Sequence, residues 1–213
     1  MKLLRTLDQV IEPAHTALII IDAQRDFCSP EGAMPKKMGL DLTRINAAMP
    51  RLNRFIKDCR DYGIKIIYVK QMFALDKMLP NIKALKLDEN DQIWYVGANT
   101  EGAEFCDQLE PPRKDETIIT KWSYDAFYDT DLHLLLQSCG IKSLLMTGFV
   151  TNICVESTAR HGFFLGYHIV LVSDCADSYT KAEHDSSIQN IESCFGHVAE
   201  SQEINKILQT KGV

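Results

Sequence analysis

The sequence predicts an α/β fold, a doubly wound parallel sheet with helices on both faces, and three observations carry that prediction. Short apolar runs alternate with stretches of helical periodicity along most of the chain. The first run, Thr16-Ala-Leu-Ile-Ile-Ile, is continuously apolar, as expected of a strand buried on both faces of a parallel sheet. Helical segments fall between the runs, and strand, helix, strand in that order makes βαβ units.

Taken in order, the first strand runs from Thr16 and ends abruptly in charge at Asp22. A helix is predicted from Leu42 to Tyr62, because Ile45, Met49, Leu52, Phe55 and Ile56 recur at three- and four-residue steps, and Gly63 stops it. Lys65 to Val69 is the next strand and Glu116 to Thr120 another. Asp131 to Ser138 reads as a helix ending at Gly140, Ser143 to Thr147 as a strand, Asn152 to Leu165 as a helix and His168 to Ser173 as a strand. Lys181 to Glu192 and Ser201 to Gln209 complete the set as helices. One domain over 1–213 is expected, with no internal repeat or linker.

The stretch from Ala74 to Lys114 breaks the rhythm: Pro80, Gly97, Gly102, Pro111 and Pro112 punctuate it and its periodicity is weak. It is expected to be a long excursion over the active-site edge, serving as a lid or specificity wall, with a plain surface connection as the alternative. Met72, Phe73, Trp94 and Tyr95 read as core aromatics and apolar groups before they read as a subunit interface.

Composition narrows the partners. With 213 residues, 46% of them hydrophobic, the chain is long enough to bury a substantial core. A formal charge of -6, with both signs mixed along the chain, offers no footprint for nucleic acid or an anionic membrane, which leaves a small molecule. No signal peptide or membrane-crossing run is evident and the seven cysteines lack CxxC spacing, so a cytoplasmic location with reduced thiols is expected.

In an open α/β sheet, ligands sit beyond the carboxyl ends of the strands. That rule selects Asp22 at the end of the first strand, Lys121 at the end of the Glu116 strand, and Cys154 on the helix entered through the turn Gly148-Phe-Val-Thr-Asn152. A cysteine in the first turn of a helix faces unpaired N–H groups and the positive end of the macrodipole, which lowers a thiol pKa and can cradle an oxyanion. A nearby lysine favours the thiolate and a carboxylate can shuttle the proton to a leaving nitrogen. Each residue alone has an ordinary reading: Cys154 as a small buried hydrophobe, Asp22 as a turn cap, Lys121 as a solvated strand end.

Together these residues resemble the isochorismatase-like cysteine hydrolases, over almost the whole chain and in the family's order. Asp22-Ala-Gln24-x-x-Phe27 is similar to the family's first-strand motif, Lys121 to its lysine, and Gly148-Phe-Val-Thr-Asn-Ile-Cys154-Val155 to its nucleophile motif. The resemblance implies a Rossmann-like three-layer fold, Cys154 as nucleophile, a thioacyl intermediate and a cis peptide between Phe149 and Val150. It further implies that the N–H groups of Val150 and Cys154 form the oxyanion hole, that no cofactor is used, and that the chain is a homodimer or homotetramer.

Further stretches resemble the ureidoacrylate-cleaving branch: Cys154-Val-Glu-Ser-Thr158 running to Gly162-Phe-Phe-Leu165, Asn190-Ile-Glu192 with Phe195-Gly196, and Tyr124 three residues after Lys121. That similarity implies a pocket lined by Phe27, Gln71, Phe73 and Tyr124. The first three depart from the branch, which has Tyr, Asn and Trp there, so a small amide or ureido substrate is implied and its identity is not. Nicotinamidases share the triad but add a metal site from an Asp-x-His element; no histidine lies between His15 and His133, so no metal is expected. True isochorismatases lack the nucleophilic cysteine. A catalytically silent scaffold is the non-enzyme alternative, and it would leave Cys154 no more reactive than the other six thiols.

Overall fold

A computed structural model describes residues 3–211 of the chain. Six strands form one sheet: β1 Thr16–Ile21, β2 Lys65–Gln71, β3 Thr117–Lys121, β4 Ser143–Phe149, β5 His168–Asp177 and β6 Gly196–Ala199. Every neighbouring pair is parallel and the order is β3-β2-β1-β4-β5-β6. The predicted doubly wound sheet is present, and its order reverses between β1 and β4, the crevice where such sheets take their ligands.

Parallel pairing needs a crossover between successive strands, and α2 Arg25–Cys28, α3 Ala33–Met38, α4 Thr43–Asp61, α5 Pro80–Lys86, α6 Leu132–Ser138, α7 Glu156–Phe164 and α8 Lys181–Asn190 supply these, while α1 Leu7–Val10 precedes β1 and α9 Ser201–Lys211 follows β6. All six residues of β1 are buried because its alternating side chains feed two cores. Leu18 and Ile20 face α4 and α9 through Leu52, Phe55 and Ile204, while Ala17, Ile19 and Ile21 face α6 and α7 through Leu136 and Ala159. Fully burying each Leu or Ile is worth about 1.5–3 kcal/mol, so these two stripes fix the register of the central strand.

Besides the short helices α1, α2, α3 and α5, which the sequence did not predict, the structure departs from the prediction in three places. β6 was not expected: it is four residues long, and Gly196, its first, lies so close to β5 that a Cβ there would sit 2.2 Å from the Ile169 carbonyl oxygen. The predicted helix from Asn152 is split into a π-helical turn, Thr151–Val155, followed by α7. The predicted helix to Glu192 likewise ends at Asn190 and passes into a π-helical turn, Ile191–Phe195.

The excursion after β2 is ordered. Phe73, Met78, Ile82, Tyr95, Val96 and Ala103 build a third, smaller core inside it. Its return is fastened to α4 by Arg60, which bonds Glu116 at 2.7 Å, Glu110 at 2.7 Å and the Pro111 carbonyl at 2.9 Å. No helix among the described residues is long and apolar enough to cross a membrane.

Candidate active site

The site is built where β1 and β4 part. Asp22 follows the last residue of β1 with a left-handed φ of 49°, a conformation Asp tolerates better than most residues, and its N–H bonds the Val69 carbonyl at 3.0 Å. On the facing strand Gly148 has φ 103° and passes so close to β1 that a Cβ would lie 2.1 Å from the Ile21 oxygen. Only glycine satisfies both conditions, which explains the first residue of the nucleophile motif. The following Phe149–Val150 peptide is cis, as the resemblance implied.

Strand register then gathers the candidate reacting groups. Gln71 ends β2 opposite Lys121, which ends β3. Strands lie about 4.8 Å apart, so only a long side chain can reach across β2 to the end of β1. Lys121 does so: its Nζ stands 2.8 Å from Asp22 Oδ2, 3.2 Å from Gln71 Oε1 and 3.0 Å from the Ser123 carbonyl oxygen. Cys154, in the π-helical turn, directs its thiol to Gln71 Oε1 at 3.5 Å. Asp22 and Lys121 are fully buried and Cys154 nearly so.

Burial sets the protonation of the three groups. It raises the Asp22 pKa against the opposing pull of Lys121. Burial alone would lower Lys121, but the charge of Asp22 and the adjacent Cys154 carry it above its ordinary value. Burial also pushes the Cys154 thiol up, outweighing Lys121, and the Asp22 charge pushes it further. The sequence expectation of a lowered thiol pKa is therefore corrected: burial raises the proton affinity of the thiol and of the carboxylate beside it. That pairing suits direct proton transfer from sulfur to Asp22 during attack.

The nucleophile turn is braced from below. Thr151 Oγ1 and His184 Nδ1 lie 2.9 Å apart, Ser178 Oγ donates to Asn152 Oδ1 at 2.9 Å, and Thr158 Oγ1 donates to the Cys154 carbonyl at 2.8 Å. These braces were not found from the sequence, since nothing in the spacing of Thr151 and His184 announces their contact. Gln24, two residues after Asp22, clamps the edge from above: its amide accepts from Gln71 N–H at 2.8 Å and donates to the carbonyls of Gln71 at 2.8 Å and Ala103 at 2.7 Å. It joins the end of β2 to the excursion.

A cavity of about 60 Å³ opens on Asp22, Gln71 and Cys154. At roughly 10–15 Å³ per water on this measure it has room for about four to six waters, which suits a compact substrate. Of the predicted lining residues, Phe27, Gln71 and Tyr124 border it, as does Val150, expected in the oxyanion hole. Phe73 does not: it is buried in the third core, edge-on to Tyr95 at 5.1 Å, and Tyr95 takes the wall position. Gln71 and Phe73 would share a side if β2 continued, but the strand ends at Gln71 and the Phe73 N–H turns to the Val96 carbonyl. Sequence reasoning also missed Lys86, Ile153 and Tyr179 on the wall. A larger groove of about 550 Å³ between α4 and α9 holds none of the three reacting groups.

Several polar atoms at the cavity are left without a hydrogen-bond partner among the described residues. Asp22 Oδ1 accepts no hydrogen bond, Asp22 Oδ2 has only its ion pair with Lys121, and Gln71 Nε2 donates none. Buried polar atoms are rarely left this way, so these are the groups poised to meet a substrate.

Comparison with known proteins matches residues 16–203 to the isochorismatase domain family. The chain is 30% identical to the ureidoacrylate amidohydrolase RutB of Acinetobacter baylyi over 90% of its own length and 83% of that protein. It is 31% identical to the ureidoacrylate amidohydrolase RutB of an Enterobacter strain, over 88% of its length and 86% of that protein. In structure it is similar to a cysteine hydrolase from Pseudomonas syringae pv. phaseolicola, with TM-score 0.84 and 24% identity across 99% of both chains. A strand order that reverses beside Asp22, a cysteine in the turn after β4 and a family match spanning the whole sheet lead to one conclusion: this chain belongs to the isochorismatase family of hydrolases.

Proposed function

We propose that this hydrolase cleaves a C–N bond of a small ureido or carboxamide substrate through a thioacyl-enzyme intermediate, with Cys154 as nucleophile, Asp22 as proton shuttle and Lys121 as electrostatic partner. The observation that carries the reading is the burial of Asp22 and Cys154 against one small cavity, with Lys121 2.8 Å from Asp22 Oδ2 and with Asp22 Oδ1 and Gln71 Nε2 lacking a hydrogen-bond partner among the described residues. The ureidoacrylate amidohydrolases at 30% and 31% identity favour a ureido group over a simple carboxamide.

Asp22 takes the proton of the Cys154 thiol as sulfur attacks the substrate carbonyl carbon. The oxyanion that forms rests on the Val150 and Cys154 N–H groups, a kind of contact typically worth about 3–4 kcal/mol per donor in the transition state. The C–N bond breaks and the nitrogen departs with the proton from Asp22, as an amine from a ureide or as ammonia from a carboxamide. Asp22, again a carboxylate, takes a proton from water as that water attacks the thioester. Sulfur leaves and recovers the proton. From a ureide the released acid is a carbamate, which decomposes to ammonia and carbon dioxide. Lys121 favours the ionised form of Asp22 in a site whose burial opposes it.

The test is ammonia release from ureidoacrylate-like compounds, N-carbamoyl amino acids, biuret and nicotinamide, with wild type, Cys154→Ala and added chelator. Release from a ureide that disappears in Cys154→Ala and survives the chelator is the expected result. Undiminished release by Cys154→Ala, or no release from any compound, would overturn the reading.

A further inference from the structure

We propose that Lys86 is a specificity-determining residue, reading a carboxylate carried by the substrate at the end away from the scissile bond. The inference rests on the amidohydrolase reading of the same cavity. Most of the wall is apolar or aromatic, including Phe27, Tyr95, Phe149 and Ile153. Two charged side chains border the cavity, Asp22 and Lys86. Asp22 is fully buried and its charge is answered by Lys121. Lys86 is half-buried, and among the described residues no carboxylate stands within ion-pair distance of it. The buried Cys154 therefore marks the floor of the cavity and Lys86 its mouth, where one positive charge is unanswered.

Local structure holds that charge in place. Lys86 ends α5, four residues after Ile82, and the two share a helix face. Ile82 is buried in the third core with Tyr95, so the same face carries the Lys86 stem towards the wall that Tyr95 forms. The ammonium lies 5.4 Å from the centre of the Tyr124 ring, over another wall residue. A cation held over an aromatic face beside an apolar cavity attracts an anion more strongly than a solvated lysine does, because less water screens the pair. A neutral amide or a cationic substrate would gain nothing from it.

The experiment uses two ligands of matched size, 3-ureidopropionate and its neutral amide, 3-ureidopropionamide. Their binding to the full chain carrying Cys154→Ala is measured by calorimetry, alone and combined with Lys86→Gln or Lys86→Glu. The carboxylate is expected to bind about tenfold to a hundredfold more tightly than the amide, the range for a hydrogen bond to a charged group. Lys86→Gln should erase the preference, Lys86→Glu should invert it, and the affinity for the amide should move less than about threefold. Added salt should weaken the carboxylate selectively. Equal binding of the two ligands, binding of neither, or equal losses on both in Lys86→Gln would overturn the proposal. Because this readout needs no turnover, it fails independently of the hydrolytic reading, which fails on the absence of Cys154-dependent ammonia release.

Discussion

The floor and the wall of the cavity are built in different ways. The floor, with Asp22, Gln71, Lys121 and Cys154, is attached directly to strand ends or to the turn that follows one, and ladder register places it. The part of the wall formed by Tyr95 and Lys86 belongs to an excursion with its own small core, tied to the sheet through a few polar side chains. Gln24 is one tie, and Asp26 is another: its carboxylate accepts the Val96 N–H at 2.6 Å and the Ala33 N–H at 2.9 Å. Chemistry sits on the part that packing makes rigid, and selectivity on the part that can be rebuilt without disturbing the sheet.

The sharpest test of that division is Cys154→Ala. It should lower turnover by about a thousandfold or more, since the covalent route is lost, while the melting temperature stays within about 3 °C of wild type. A large loss of stability would show that the floor is held by its reacting groups rather than by register.

Gly148→Ala attacks the register itself. A Cβ cannot be placed 2.1 Å from the Ile21 oxygen, so the end of β4 must move away from β1. A loss of about 3–4 kcal/mol in denaturant unfolding is expected, together with a fall in kcat. If Gly148→Ala proved as stable as wild type, floor and wall would be equally pliable.

A third test uses pH. In the proposed mechanism Asp22 must be ionised to accept the thiol proton, and burial raises its pKa. Activity should therefore fall on acidification through a limb lying above the range of an exposed aspartate. Lys121 lowers the Asp22 pKa, so Lys121→Met should move the limb in kcat/KM to still higher pH, with loss of rate. A limb that did not move would remove Asp22 from the base role. The same raised pKa means that ionised Asp22 costs stability above its folded pKa, and protonation relieves that cost below it.

The smallest expected effect is on the wall. In Asp26→Asn one accepting oxygen becomes a donor facing a backbone N–H, at a cost of about 1–3 kcal/mol. KM should rise up to about tenfold with kcat within about threefold of wild type. A kcat that collapsed would mean that the wall also positions the chemistry.

The sequence carried the floor well. Asp22, Lys121 and Cys154 were legible because strands reveal themselves by apolar runs, and the residues that end those runs must lie on one edge of a parallel sheet. Gly148 was legible within its motif, but its reason, a backbone approach to Ile21, needed coordinates. Phe73 was misplaced because alternation holds only while a strand continues, and β2 stops two residues before it. The thiol pKa was read in the wrong direction because the helix start was visible and the depth of burial was not.

By itself, then, the sequence determined the class of fold, that Asp22 and Lys121 stand at the ends of two strands and that Cys154 lies in the turn after a third, all of which follow from local hydrophobic period and short motifs. Only the tertiary structure decided which aromatic forms the wall, that Thr151 rests on His184, that Gln24 and Asp26 hold the excursion, and that Lys86 borders the cavity with no carboxylate among the described residues within ion-pair distance. Those contacts join residues far apart in the chain through side-chain reach and burial, and neither quantity is encoded in spacing along the chain.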